Sequence, residues 1–147
     1  MSRLGKYVIV LFCITFFQSF GFKKAGDDEK IDVAKYKGQK IVIGNENTNG
    51  TIRDETIILR SGQVFSHAKG NAEYKFQKKL SNGDIHHIFG VIDRAPITSF
   101  NHPGDPSFFI EEYSHGKVTN YYIWGEAGAE VPKYILEDYT DILKIAR

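Results

Sequence analysis

The sequence predicts an α+β fold: an antiparallel sheet of about six strands, in the order meander, helix, hairpin, helix, with the two helices packed on it. Three observations lead there. Apolar alternation broken by turn dipeptides runs from Ile41 to Leu80, the hydrophobic period lengthens at Ser81, and an aromatic hairpin then feeds an amphipathic C-terminal stretch.

The first residues belong to something other than this domain. "MSRLGK" carries Arg3 and Lys6, the run from Tyr7 to Phe17 is uncharged and apolar but for Thr15, and Ser19 and Gly21 supply the small residues a signal peptidase reads. Residues 1–21 are therefore expected to be a secretory signal, since the apolar run is shorter than the roughly 20 residues a spanning helix needs. Cys13 follows Phe12 rather than a small residue, which argues against lipidation. Removing residues 1–21 takes away the one cysteine of the chain, and without Arg3 and Lys6 the 19 basic residues fall one short of the 18 acids. A near-neutral, thiol-free domain must be held by its core alone, and it lacks the field on which nucleic-acid or anionic-membrane binding depends. The expected address is secreted or periplasmic, with no strong membrane association after cleavage. Residues 22–40 mix both charges with few large apolar groups and are read as a flexible leader. Residues 41–147 are read as a single domain.

The elements follow in order. Asn49-Gly50 is a primed-turn pair whose register sets Glu46 opposite Arg53 and Val42 opposite Ile57. Ser61-Gly62 reverses the chain again and is expected to pair Leu59 with Val64. From Ala72 to Leu80, Tyr74, Phe76 and Leu80 alternate with polar residues, broken only by Lys78, predicting a strand with one wet face, with a helix as the alternative. Ser81 and Asp84 stand in capping spacing ahead of Ile85, Ile88, Phe89 and Ile92, an amphipathic helix that Pro96 ends. The segment "FNHPGDPSFF" reads as a rigid connector, because Pro103 and Pro106 hold His102 and Asp105 extended while Gly104 permits a turn. A functional loop is the alternative.

A hairpin about His115-Gly116 is expected to pair Phe108 with Ile123, Phe109 with Tyr122, Ile110 with Tyr121 and Glu111 with Asn120. That register puts Phe109, Tyr122 and Trp124 on one face. Pro132 suits a helix first turn; Ile135, Tyr139, Ile142 and Ala146 form a stripe that Leu136 and Leu143 widen.

The stretches "SGQVFSHAKG", "YKFQKKLSNGDIHHIFGVI", "FNHPGDPSFFIEEY", "YYIWGE" and "VPKYILEDY" together resemble small exported bacterial domains of uncharacterised function. The likeness spans about Thr56 to Leu143 and lies in the hairpin, helix, hairpin, helix plan. It implies a fold and an exported address, and it carries no catalytic residue.

Chemistry-bearing motifs are sparse. His67, His86, His87, His102 and His115 show no zinc spacing, and His86 and His87 diverge by about 100° on a helix. His86, Gly90 and Asp93 share one helical line, with a shallow groove expected at Gly90. Glu111 and Glu112 are consecutive on a strand and point to opposite faces. No nucleophile elbow or phosphate-cradling glycine loop occurs, and no cofactor or metal is called for. Aromatic residues make up 14% of the chain, so Phe109, Tyr122 and Trp124, flanked by His102 and Asp105 of the connector, are candidate binding residues. The plainer alternative is that these rings fill the core.

Three functional classes fit: a non-enzymatic module binding a protein, peptide or envelope component; a small metal-assisted or general-base hydrolase using His102 or His86 with Asp93 or Asp105; and an immunity-like inhibitor of a secreted enzyme. Export is checked by sequencing the N-terminus of the protein from fractionated cells. Phe22 is expected there, whereas intact Met1 in the cytosol contradicts the signal.

Overall fold

Alternation along the strands produces a sheet with two buried faces of different character. The structure is a computed structural model that describes residues 31–47, 53–68 and 70–147. The signal, Cys13 and the Asn49-Gly50 turn lie outside the described residues. Seven strands form one sheet in the order β4-β3-β2-β1-β6-β7-β5. They are β1 (Lys40–Glu46), β2 (Arg53–Leu59), β3 (Gln63–His67), β4 (Lys75–Lys79), β5 (Ser99–His102), β6 (Ser107–Ser114) and β7 (Lys117–Trp124). Two helices, α1 (Asn82–Asp93) and α2 (Lys133–Ala146), pack on one face. The fold is α+β and the sheet is antiparallel except where β5 runs parallel to β7.

The chain joins the domain before Ile41. A 3₁₀ turn at Val33–Lys35 is capped by Asp32, and Val33 is buried. The Gln39 amide then donates to the buried Glu112 carboxylate at 2.7 Å. Residues 32–39, assigned to the leader from their polarity, are thus held in the domain by buried Val33, by the Gln39 side chain and by the Gln39 carbonyl, which accepts from the Arg60 N–H at 2.9 Å.

The first hairpin has the register expected of it, with Glu46 opposite Arg53 and Val42 opposite Ile57. The second is displaced by one residue: Ile58, not Leu59, faces Val64. The cause is the loop, in which Gly62 takes φ +90° and its N–H returns to the Leu59 carbonyl at 2.8 Å. A third loop residue in left-handed geometry replaces the two-residue turn. β4 begins later than the alternation suggests, and as an edge strand it leaves Phe76 45% exposed while Leu80, just beyond it, is buried.

α1 forms as its pattern dictates. Ser81 Oγ accepts from the Asp84 N–H, and Ile85, Ile88, Phe89 and Ile92 are buried. In α2, Ile135, Ile142 and Ala146 are buried, but Leu136 turns to solvent at 43% exposure. Between the helices, His87 Nε2 lies 2.5 Å from Asp141 Oδ2. Burial, followed by the charges of Asp141 and Glu137, raises the nearby Asp138 carboxyl above its ordinary value.

The connector supplies the seventh strand. β5 adds at the edge of β7, with Phe100 opposite Tyr122 and His102 opposite Trp124. Four residues ahead of Pro103 show no alternation long enough to betray a strand. The corner that follows is stapled by buried Ser107, whose hydroxyl accepts from the Gly104 N–H at 2.9 Å and donates to the Gly104 carbonyl at 2.8 Å. The Asp105–Pro106 peptide is cis.

In the β6–β7 hairpin, His115 (φ 52°) and Gly116 (φ 75°) make the primed turn. Near it, Ser114 faces Lys117 and Tyr113 faces Val118, as expected. Beyond Glu112 the pairing slips, because Thr119 is an extra residue that pushes Asn120 opposite Glu112. Phe108 therefore meets Trp124, Phe109 meets Ile123, Ile110 meets Tyr122 and Glu111 meets Tyr121.

Candidate functional site

The bulge at Thr119 redistributes the aromatic candidates. Tyr122 and Trp124 share a face with Ile110, Ile41 and Ile43, in the cluster beneath the helices. Trp124 is 7% exposed, stacked on Phe108 with ring centroids 6.0 Å apart and met edge-on by Tyr139 of α2 at 5.0 Å. The Tyr122 hydroxyl donates to the Ile97 carbonyl at 2.8 Å, and burial, with lesser contributions from Tyr134, Asp138 and Glu112, pushes the phenol up to about 12. Phe109 is fully buried on the opposite face. The three rings form no common surface, so the exposed platform expected from the unbulged register does not exist.

The connector residues do not join them. His102 Nδ1 lies 3.0 Å from Glu126 Oε2, with both side chains about half exposed, and its ring packs at 4.8 Å on Phe100. The side chains of Asp105, His86 and Asp93 enter no hydrogen bond or ion pair among the described residues. The groove expected at Gly90 is occupied by the Arg94 guanidinium, 3.1 Å from where a side chain would begin. No set of three or more His, Cys, Asp or Glu side chains is arranged to hold a metal among the described residues.

A different group of side chains does converge, on the sheet face away from both α-helices. Strand pairing places Arg53, Glu55, Glu46, His67, Glu111, Tyr113 and Phe109 on this face, across β3, β2, β1 and β6. Arg53 lies flat over the Phe109 ring, its guanidinium carbon 4.0 Å from the centroid. Its Nη2 donates to Glu111 Oε2 at 2.9 Å. Its Nε sits 3.4 Å from Glu46 Oε2 and 3.5 Å from Glu55 Oε2, an ion-pair distance without the alignment of a hydrogen bond to either.

The ends of the network are aromatic. Tyr113 donates to Glu111 Oε2 at 2.9 Å, and Lys40 Nζ stands 5.1 Å from the Tyr113 ring centre. His67 Nδ1 lies 3.5 Å from Glu55 Oε1, with its ring 4.8 Å from that of Tyr74.

Electrostatics follow from this packing. Burial opposes the Arg53 charge, but the hydrogen bond it donates to Glu111 and the fields of Glu111, Glu55 and Glu46 outweigh it, and its pKa rises. Burial first, then the Glu111 charge and hydrogen bond, pushes the Tyr113 phenol up to about 12. Tyr74 is raised by burial and then by Glu55.

Three carboxylates thus surround one guanidinium, with side chains only 11–18% exposed for the glutamates and 28% for Arg53. Both bonds to Glu111 land on Oε2. Oε1 of Glu111 and Oε1 of Glu46 accept no hydrogen bond from the described residues.

Only part of this network is written locally. The Glu46–Arg53 pair follows from the first turn. Glu55 faces His67 only in the true second register, and the one-residue error hides it. Glu111 arrives through β1–β6 pairing, which joins segments far apart in the chain.

No protein-family model matches the chain, and no curated protein or solved structure matches it. No helix among the described residues is long and apolar enough to cross a membrane.

Arg53→Met keeps the apolar stem over Phe109 and removes the charge, leaving three largely buried carboxylates without their cation. Chemical unfolding is expected to show a loss of about 1–3 kcal/mol. Adding Glu111→Gln should recover part of that loss, whereas an additive double variant contradicts the coupling.

Proposed function

We propose that this protein is an exported, non-enzymatic binding module that takes a cationic group of a protein or peptide partner against the glutamate-rich face around Arg53. The observation that carries the reading is the excess of carboxylate over guanidinium, with Glu46 Oε1 and Glu111 Oε1 left without a described donor. A partner guanidinium or ammonium donates to these oxygens. It does so beside an apolar floor of Val42, Ile57 and Phe109, where a charge-assisted hydrogen bond is stronger than in bulk water.

Binding rather than catalysis is favoured by what the face lacks. A reaction needs a nucleophile or a base aimed at a cleft, and here the glutamates lie against Arg53, Tyr113 and His67 on the sheet face away from the helices. An inhibitor of a basic secreted enzyme is the form this reading takes when the partner is a folded protein. Export rests on the composition of residues 1–21.

The test uses isotope-labelled full-length protein and two probes, N-acetyl-argininamide and its neutral citrulline analogue. The arginine probe is expected to produce saturable amide shifts in β2 and β6 with a dissociation constant on the order of millimolar. Glu111→Gln should weaken it about three- to tenfold. Equal binding of the citrulline analogue, or no saturable shift with arginine, overturns the proposal.

A further inference from the structure

We propose that the free edge of β4 receives an acidic, extended segment of a partner protein as an added strand. This surface is distinct from the Arg53 network in residues and in sign of charge, and the inference goes beyond that reading.

β4 pairs with β3 along one side and ends the sheet on the other, so its outer backbone groups have no strand partner among the described residues. Its sequence, Lys75-Phe76-Gln77-Lys78-Lys79, holds three lysines and no acid. Pairing sets Lys75 opposite Ser66 and Lys78 opposite Val64 on the helix-bearing face, and Phe76 opposite Phe65 and Lys79 opposite Gln63 on the other. A strand laid along the edge presents its side chains to both faces, and on each it meets a lysine. Phe76, 45% exposed and edge-on to Phe65 at 5.7 Å, offers an apolar anchor between the charges. An open groove of about 700 Å³ along residues 71–76 leads the approach to the strand.

The same lysines decide the occupant. Lysine on an edge strand guards against self-pairing, and two β4 edges brought together would set lysines of one copy against those of the other. A second copy is therefore disfavoured by charge, while an acidic strand with interleaved aliphatic residues sets its acids against Lys75 and Lys78 on one face and an aliphatic side chain against Phe76 on the other. The opposite edge of the sheet offers no equal site, because β5 is four residues long and meets Pro103.

The experiment titrates labelled full-length protein with acetyl-Glu-Val-Glu-Val-Glu-amide and, separately, with the peptide in which lysine replaces each glutamate. The acidic peptide is expected to shift and protect amides of residues 74–79, with affinity falling as salt is raised. The double substitution Lys75→Glu, Lys79→Glu should weaken it by roughly tenfold without moving the urea midpoint, since both side chains are exposed. The proposal is overturned if the basic peptide binds as well, if the shifts map away from β4, or if the double variant keeps full affinity.

Discussion

The extra residue at Thr119 decides which aromatic rings of the last hairpin meet the helices, and the rest of the packing depends on that choice. A strand alternates its side chains between faces, so inserting one residue exchanges the faces of everything beyond it. Tyr122 and Trp124 thereby enter the cluster with Ile41, Ile43 and Ile110, where α2 supplies Tyr139 and Ile142. Phe109 remains on the other side as the floor for Arg53. Burying each large ring stabilises the fold by roughly 2–3 kcal/mol, a scale large enough to hold the bulge in place.

The bulge also gives Glu112 partners that the adjacent Glu111 does not share. Glu112 is buried and accepts from Gln39 at 2.7 Å, from Asn120 at 2.6 Å and from Thr119 at 3.2 Å. Thr119 and Asn120 come from the bulged strand and Gln39 from the segment before β1, so one carboxylate joins three parts of the chain. Glu111, one residue earlier, faces the opposite way into the Arg53 network. The two carboxylates cannot act as a pair, as alternation dictates, and each instead organises its own face.

What was legible in the sequence was local. The cap at Ser81, the stripe of α1, the primed turn at His115-Gly116 and the Glu46–Arg53 pairing all follow from residues a few positions apart. What was not legible depends on events without a compositional mark. Thr119 resembles any strand threonine, Gly62 in a three-residue loop resembles Gly62 in a two-residue one, and β5 is too short to alternate. The candidate site suffered most. His67 was hidden by a one-residue slip, Glu111 by a long-range pairing, and Trp124 was drawn to the surface by a register correct only as far as Tyr113.

Trp124 is the sole tryptophan of the chain, so its fluorescence reports directly on whether the bulge turns the hairpin's rings under α2. The measurement is the emission spectrum of the native protein with iodide quenching, compared with the unfolded chain. The account predicts blue-shifted native emission that iodide scarcely quenches. Native emission as red and as readily quenched as in the unfolded protein would place the indole in solvent and contradict the two-faced sheet.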